Sequence, residues 1–288
     1  MVCGRGAVTG DALVRHPEVD LVSFTGGTQT GRSVMTAAAG TLKPCSLELG
    51  GKSANIIFAS ADLEQALEGA LLGIFSNNGQ QCLAGSRILL QRPIAQRFIE
   101  AFLARTARLR IGDPMDPKTQ IGPLAFGAHL ERVLSYVGVA QAEGARLLIG
   151  GHRVKERERG FYMQPTAVLA ADPGSRICQE EVFGPFATFL IFDAAEESFA
   201  IANGTRFGLV SYLWTEHLPT ALQGRQALRS GVVWINTPMV RELRAPFGGL
   251  KDSGWGREGG NASMHFYTAE KSSKLPVSPI SLNQLGLG

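Results

Sequence analysis

The feature that most constrains the fold is an alternation of short apolar strands with helices along the 288 residues. Asp20–Phe24 reads as a short buried strand, followed by a Thr-Gly-Gly turn. The next segment, Thr28–Ala39, is predicted as a helix that ends at Gly40, and Leu42–Leu49 as a second strand. Strand, glycine turn, helix and strand form one βαβ unit, which favours a parallel sheet with helices on its faces.

The alternation continues in longer units, and Asp62 is predicted to cap the first of the following helices. The predicted strands are Ala54–Phe58, Arg87–Gln91, Arg146–Ile149, Ala187–Phe192, Val210–Trp214 and Val232–Asn236; the predicted helices are Ile94–Leu109, Ala128–Glu143, Glu196–Asn203 and Pro219–Arg229. The chain is therefore predicted to be an α/β protein. The βαβ unit at residues 20–47 is expected to be either an edge of the larger sheet or part of a domain whose remainder lies upstream and is absent here.

Charge and hydropathy exclude several classes of function. The net charge is +3 and thinly spread. The basic stretch Arg153–Arg159 alternates with Glu156 and Glu158, which indicates a solvated loop rather than a nucleic-acid site. No apolar run approaches the roughly 18 residues that a membrane span needs, and no N-terminal signal is visible. A cytoplasmic enzyme without nucleic-acid or membrane partners is expected.

Glycines between a strand and a helix mark a candidate anion site. Phe24–Arg32 reads FTGGTQTGR, so that free N–H groups and the helix dipole favour an anion, and the glycines let a phosphate come close. The spacing fits neither the dinucleotide fingerprint nor a P-loop. A structural turn and a phosphate site are equally consistent with this segment.

Glu48 is a candidate general base. It lies between two leucines in LELGGK, just before a double glycine. A carboxyl in such surroundings is expected to have a raised pKa, as a general base working near neutral pH requires. The alternative is a carboxylate paired with Lys52 or with a nearby arginine.

Cys82 is a candidate nucleophile because it follows the polar loop NNGQQ, where a base can reach it. The other cysteines, Cys3, Cys45 and Cys178, are interpreted as buried packing residues. The four cysteines have no metal-ligand spacing, so no metal site is predicted and a reducing compartment is expected. No histidine is close to Cys82 in sequence, so a Cys–His hydrolase has no visible partner.

Five motifs in order, FTGGTQTG, LELGGK, NGQQC, EEVFGP and PFGGLKDSGWGREGG, resemble the aldehyde dehydrogenase superfamily. The resemblance extends from Val2 to about Lys274. It implies a catalytic domain with a parallel-rich sheet at residues 51–253 and the C-terminal part of a truncated cofactor-binding domain at residues 1–50. A C-terminal tail at residues 254–288 would carry an oligomerisation strand that begins near Phe266-Tyr267-Thr268.

The resemblance also implies a reaction. Cys82 attacks an aldehyde to form a thiohemiacetal, and hydride leaves for the nicotinamide of NAD or NADP. Glu48 then activates the water that hydrolyses the thioester, and the Cys82 backbone N–H donates to the oxyanion. Gly26 and Gly31 match positions beside the cofactor pyrophosphate, and Gly27 stands where many members have serine. The implied cofactor-binding residues are Gly26, Gly27, Gly31, Leu49, Glu181 and Phe183, of which Glu181 and Phe183 match positions that hold the nicotinamide ribose and ring.

Residues 236–244 match the loop that walls the substrate funnel in this family. Arg241 and Arg244 in this loop are candidates to clamp a distal carboxylate, because guanidinium forms bidentate pairs with carboxylates. The sequence here also resembles members that oxidise carboxylated semialdehydes of the hydroxymuconic type. The alternative is that both arginines bind Glu242 or other subunits.

Members of the family are nearly twice as long, and the match lacks the upstream asparagine that donates the second oxyanion hydrogen bond. Loss of one such donor typically costs about 10²–10³ in rate. The chain alone is therefore expected to be a weak or inactive dehydrogenase. Homo-oligomerisation is expected. The alternatives are a non-catalytic subunit that pairs with a full-length dehydrogenase and a Cys82-dependent esterase.

Overall fold

A computed structural model describes residues 1–154 and 159–280. The strands in these residues are β1 (Val22–Thr25), β2 (Cys45–Glu48), β3 (Ala54–Ile57), β4 (Arg87–Gln91), β5 (Arg146–Ile149), β6 (Thr166–Leu169), β7 (Phe186–Phe192), β8 (Phe207–Gly208), β9 (Val210–Trp214), β10 (Val232–Ile235), β11 (Leu250–Lys251) and β12 (Gly254–Trp255). The α-helices are α1 (Asp11–Arg15), α2 (Thr28–Ala39), α3 (Leu63–Phe75), α4 (Arg92–Thr106), α5 (Gly127–Ala142), α6 (Arg176–Gln179), α7 (Ala195–Asn203), α8 (Leu218–Ala227) and α9 (Gly260–Tyr267).

The larger sheet has seven strands in the order β10-β9-β3-β4-β7-β6-β5. Its neighbours run parallel except β5, which pairs antiparallel with β6. The predicted α/β class with a parallel-rich sheet is confirmed. Strand β6 was not predicted from the sequence, because a buried run of four residues carries no period that separates it from loop.

The βαβ unit is separate from the larger sheet. Its strands β1 and β2 are parallel, and β12 from the end of the chain adds antiparallel to β2. The prediction of a buried first strand beginning at Asp20 was wrong: β1 begins at Val22, and its residues alternate between half-buried and exposed. This alternation follows from its place at the sheet edge, whereas central β2 is buried throughout.

Helices cover both faces of the larger sheet. On one face α3 and α4 form a core that includes Phe75, Phe102 and Phe189. The other face packs against α5 and α7. The predicted cap of α3 is confirmed, since an Asp62 carboxylate oxygen accepts hydrogen bonds from the backbone N–H of the second and third helical residues, at 3.1 and 3.2 Å. None of the described helices is long and apolar enough to cross a membrane.

The C-terminal segment contains a helix at the position where the oligomerisation strand is predicted to begin. Phe266 and Tyr267 lie in helix α9 and do not start a strand, and residues 268–280 form no strand with the described part of the chain. Thr268 has extended dihedral angles. Because a strand that joins subunits takes its hydrogen bonds from another chain, the oligomerisation strand stays a prediction. The predicted solvated loop Arg153–Arg159 lies in part outside the described residues, at positions 155–158.

Candidate active site

A cleft of roughly 660 Å³ lies where the β1–α2 turn, the end of β2 and the loop after α3 meet helix α5. It brings together most of the predicted site residues; these are Gly26, Gly27, Glu48, Leu49, Cys82, Glu181, Phe183 and Arg241. Gly31 and Arg244 do not line it. A Cβ at Gly31 would lie 2.5 Å from Leu49 Cδ2, so Gly31 lets α2 pack closely on the strand end.

Glu48 is the last residue of β2 and is 6% exposed. Neither of its carboxylate oxygens has a hydrogen-bond partner among the described residues. Burial raises the pKa of Glu48 to about 7, the negative charge of Glu258 adds to this, and the positive charge of Arg257 opposes it. The expected raised pKa is confirmed. The alternative pairing with Lys52 is wrong, because the Lys52 ammonium is also buried without a hydrogen-bond partner in the described chain.

A glycine of the C-terminal PFGGLKDSGWGREGG motif, Gly248, lies against the Glu48 carboxylate. A Cβ at Gly248 would lie 2.9 Å from Glu48 Oε1, and Gly248 has a φ of +157°. Any side chain at this position would therefore crowd the carboxylate as well as strain the backbone. Arg257 holds the same loop by donating to the carbonyl oxygens of Gly249 at 3.0 Å and Gly256 at 2.6 Å.

The loop that carries Cys82 is held by its own polar side chains. Asn77 and Asn78 adopt left-handed dihedral angles, with φ of 48° and 56°, a region that asparagine tolerates better than most residues. The Asn78 amide donates to Pro123 O at 3.1 Å and accepts from Gly122 N at 2.7 Å. These contacts fix the turn that ends α3 and presents Cys82 to the cleft.

The Cys82 thiol is half-buried. Burial raises its pKa, and so do the negative charges of Glu181 and Glu48; the backbone N–H groups of Cys82 and Leu83 oppose the rise. The thiol therefore needs a base to form the nucleophilic thiolate near neutral pH. Among the other cysteines Cys45 and Cys178 are buried, as predicted.

The prediction of a buried packing role was wrong for Cys3, which is exposed. The first five residues precede the regular elements of the structure, so no core surrounds this thiol.

The double glycine after Glu48 lets three loops approach one another. A Cβ at Gly50 would lie 2.2 Å from Glu181 Oε2, and a Cβ at Gly51 would lie 2.2 Å from Cys82 O. The Gly51 N–H donates to Glu181 Oε1 at 3.1 Å. Burial raises the pKa of Glu181, whereas this N–H and nearby positive charges lower it. A residue larger than glycine would collide with the Glu181 carboxylate at the first position and with the Cys82 backbone at the second.

Two residues that were not predicted from the sequence, His129 and Arg132, also line the cleft. His129 Nε2 lies 2.7 Å from Phe183 O, and Arg132 Nη2 donates to Glu181 O at 3.1 Å. Phe183 has a φ of 61°, which is costly for an aromatic residue and needs such support. The signal in the sequence was the i, i+3 spacing of two polar residues on one side of α5.

The two arginines of the predicted substrate loop have different surroundings. Arg244 forms a bidentate pair with Glu242, with Nε–Oε1 and Nη2–Oε2 distances of 2.8 Å. This pair lowers the pKa of Glu242 to about 2. Arg241 is exposed and lines the rim of the cleft. Arg244 therefore binds Glu242, as the alternative interpretation had it, whereas Arg241 lines the cleft.

Comparison with known proteins identifies the family. Residues 1–273 match the model of the aldehyde dehydrogenase family. The chain is 46% identical over 268 residues to 5-carboxymethyl-2-hydroxymuconate semialdehyde dehydrogenase of Escherichia coli, covering 91% of this chain and 56% of that protein. It is 43% identical to betaine aldehyde dehydrogenase 1 of Rhizobium meliloti (strain 1021), covering 94% of this chain and 56% of that protein.

Solved structures agree with this assignment. HpcC from Thermus thermophilus superposes with a TM-score of 0.95 at 43% identity, over 99% of this chain and 56% of that one. A point mutant of betaine aldehyde dehydrogenase from Staphylococcus aureus, in complex with NAD+, gives a TM-score of 0.88 at 39% identity over 91% of this chain and 54% of that one. The chain spans little more than half the length of these relatives, and it belongs to the aldehyde dehydrogenase family.

Proposed function

We propose that this chain carries the catalytic residues for oxidation of an aldehyde to a carboxylic acid, with Cys82 as nucleophile and Glu48 as general base. The observation that carries the proposal is that both side chains line one cleft. The pKa of Glu48, at about 7, suits proton transfer near neutral pH. The thiol lies in the loop after α3 and the carboxyl at the end of β2, so the fold brings them into one cleft.

The first step is attack of the Cys82 thiolate on the aldehyde carbon. Glu48 accepts the thiol proton, a carbon–sulfur bond forms, and the carbonyl π electrons move to oxygen to give the oxyanion of the thiohemiacetal. The Cys82 backbone N–H donates to that oxygen. Because burial and two carboxylates raise the pKa of the thiol, we expect this step to accelerate as the pH rises through neutrality.

The residues around the cleft fit the nicotinamide end of NAD or NADP. The Glu181 carboxylate suits ribose hydroxyl groups as an acceptor, and the partly exposed Phe183 ring suits the flat nicotinamide. Gly26 and Gly27 precede the first turn of α2, where backbone N–H groups favour a pyrophosphate. When bound, the nucleotide supplies the hydride acceptor. We favour NAD over NADP as the cofactor because the similar Staphylococcus aureus protein was solved in complex with NAD+.

The second half of the reaction is hydrolysis. Loss of hydride from the thiohemiacetal leaves a thioester, and Glu48 has by then released the first proton to solvent. It then accepts a proton from water as the hydroxide adds to the thioester carbon. The carbon–sulfur bond then breaks, which releases the carboxylic acid and returns the thiol of Cys82. The burial that raises the pKa of Glu48 also keeps the carboxyl free of competing partners.

We infer that the substrate carries a distal carboxylate, as the name of the Escherichia coli relative suggests. Arg241 at the rim of the cleft favours an anionic aldehyde over the cationic one named for the betaine aldehyde dehydrogenases. A second candidate function is hydrolysis of activated esters, since attack by Cys82 and assistance by Glu48 need no nucleotide.

The test uses the chain without nucleotide, because the chain spans little more than half the length of its relatives. Iodoacetamide alkylation of each cysteine is followed by mass spectrometry with and without an aldehyde. Thiohemiacetal formation is expected to protect Cys82, while the exposed Cys3 reacts unchanged as an internal control. Equal alkylation of Cys82 with and without aldehyde would exclude the nucleophile assignment. NAD(P)H formation that a Cys82→Ala change abolishes would establish the full oxidation.

A further inference from the structure

An indole makes one of the contacts that join the loop carrying Arg241 to the body of the protein. Trp234, in strand β10, donates from Nε1 to Val240 O at 2.9 Å. Val240 itself is 60% exposed, so its side chain provides little anchoring. The loop also begins with left-handed residues, Asn236 and Met239, with φ of 52° and 50°. A loop with strained dihedral angles and an exposed tip keeps its position through such bonds.

The same indole stacks on Tyr212, whose hydroxyl contacts the residue after Cys82. The Trp234 and Tyr212 rings are 5.2 Å apart between centroids, at an interplanar angle of 26°. Tyr212 is fully buried, and its hydroxyl donates to Leu83 O at 2.8 Å. Leu83 directly follows Cys82. An unbroken series of contacts therefore runs from the residue before Arg241 to the residue after Cys82.

Neither aromatic residue lines the cleft. Their effect on a substrate would therefore act through the two loops that they join. Stacked aromatic rings are stiff, with two rotatable bonds each, and a stacked pair contributes about 0.5–1.5 kcal/mol beyond its buried area. The contacts thus connect the backbone next to Arg241 with the backbone next to Cys82.

We propose that Trp234 and Tyr212 are positioning residues that hold Arg241 at a fixed distance from Cys82 and so select the chain length of the acid-bearing aldehyde. The inference rests on the proposed roles of Cys82 and Arg241. An aldehyde whose carboxylate meets Arg241 while its carbonyl carbon meets the thiol spans this separation; shorter or longer acids lose one of the two contacts. Neutral aldehydes are indifferent to the separation.

The experiment measures protection of Cys82 from alkylation by a series of aldehydes. The acids are glyoxylate and the semialdehydes of succinic, glutaric and adipic acid, and each is paired with the unbranched neutral aldehyde of the same carbon number. In the wild type, the ratio of acid to neutral protection is expected to peak at one chain length. Trp234→Phe keeps an aromatic ring but removes the Nε1–H donor. This variant is expected to lower the ratio of acid to neutral protection at the peak chain length roughly two- to tenfold, which corresponds to the loss of one hydrogen bond. Protection by the neutral aldehydes is expected to stay unchanged.

Two further variants make the result specific. Tyr212→Phe keeps the ring and removes the bond to Leu83, so it is expected to lower the same peak. Trp255→Phe makes the same chemical change as Trp234→Phe at a tryptophan that is 67% exposed and outside the cleft, and it is expected to retain the wild-type peak.

The outcomes separate this inference from the proposed function. A peak that Arg241→Gln abolishes but both aromatic variants retain would overturn the positioning role alone. A ratio that does not depend on chain length in the wild type, or that Arg241→Gln leaves unchanged, would overturn the inference together with the proposed substrate class. Loss of protection by neutral and acid aldehydes alike in Trp234→Phe would point to general loosening of the site and would also contradict it.

Discussion

Replacing Glu48 with glutamine is expected to stabilise the protein at alkaline pH. The pKa of this buried carboxyl lies at about 7 instead of its ordinary 4.5. One pKa unit corresponds to about 1.4 kcal/mol. Ionised Glu48 therefore costs the folded state about 3 kcal/mol, a large fraction of the 5–15 kcal/mol that typical domains have. Glutamine has nearly the same shape and no charge, so it avoids this cost.

The sign of the effect follows from which state holds the proton. Below pH 4.5 the carboxyl is protonated in both the folded and the unfolded chain, so the stability is fully present. Between pH 4.5 and about 7 the unfolded chain loses this proton first, and the free energy of unfolding falls as the pH rises. Above about pH 7 both states are ionised and the loss is complete. The advantage of Glu48→Gln should therefore be small at pH 4.5 and reach about 3 kcal/mol at pH 8.

The assay is urea unfolding of the wild type and Glu48→Gln at several pH values between 4.5 and 8. The difference between their unfolding free energies should grow with pH and level off above pH 7. Glu216→Gln, the same change at an exposed residue, serves as the control and should show no such growth. If the unfolding free energies of the wild type and Glu48→Gln differed by the same amount at every pH from 4.5 to 8, the burial argument would be refuted.

Three other changes follow from local contacts. Asp62→Ala should lower the free energy of unfolding by about 1 kcal/mol in urea titrations, whereas Asp62→Asn, which keeps an acceptor oxygen, should lose less; equal losses would contradict the capping account. Gly79→Ala should destabilise the fold and change the alkylation rate of Cys82, because its φ is +68° and a Cβ there would lie 2.1 Å from Gly184 O; wild-type values in both measurements would argue against this. His129→Leu should speed amide hydrogen exchange in residues 180–184, and His129→Gln, which retains a donor, should restore slow exchange; unchanged exchange in the leucine variant would exclude the support of that loop by His129.

The parts of the fold predicted best from the sequence are those with a clear local cause. Strand Arg87–Gln91 and helix Thr28–Ala39 were predicted with the bounds that the structure gives. Each has a marked end, such as the glycine after the helix and the proline after the strand. Strand β6 and the burial of β1 were not predictable, because they depend on which strands come to lie beside them.

The candidate site could be predicted only in part for the same reason. The raised pKa of Glu48 followed from its apolar neighbours in sequence and is confirmed. His129 lies 54 residues before Phe183 in sequence, and the fold alone places its ring beside Phe183 O. Arg241 and Arg244 were indistinguishable in sequence, and only the structure separates the one paired with Glu242 from the one at the rim.

The most direct test of the central claim, that Cys82 and Glu48 act as a nucleophile and base pair, is to identify the acyl group left on the protein by an activated ester such as nitrophenyl acetate. In Glu48→Gln, acetylation of Cys82, followed by mass spectrometry, should slow, because the thiol has lost its base, but the acetyl group that does form should persist, because its hydrolysis also lacks a base. The wild type should clear this group faster, and Cys82→Ala should carry none. Acetyl groups that leave Cys82 equally fast with and without the Glu48 carboxyl would contradict the account.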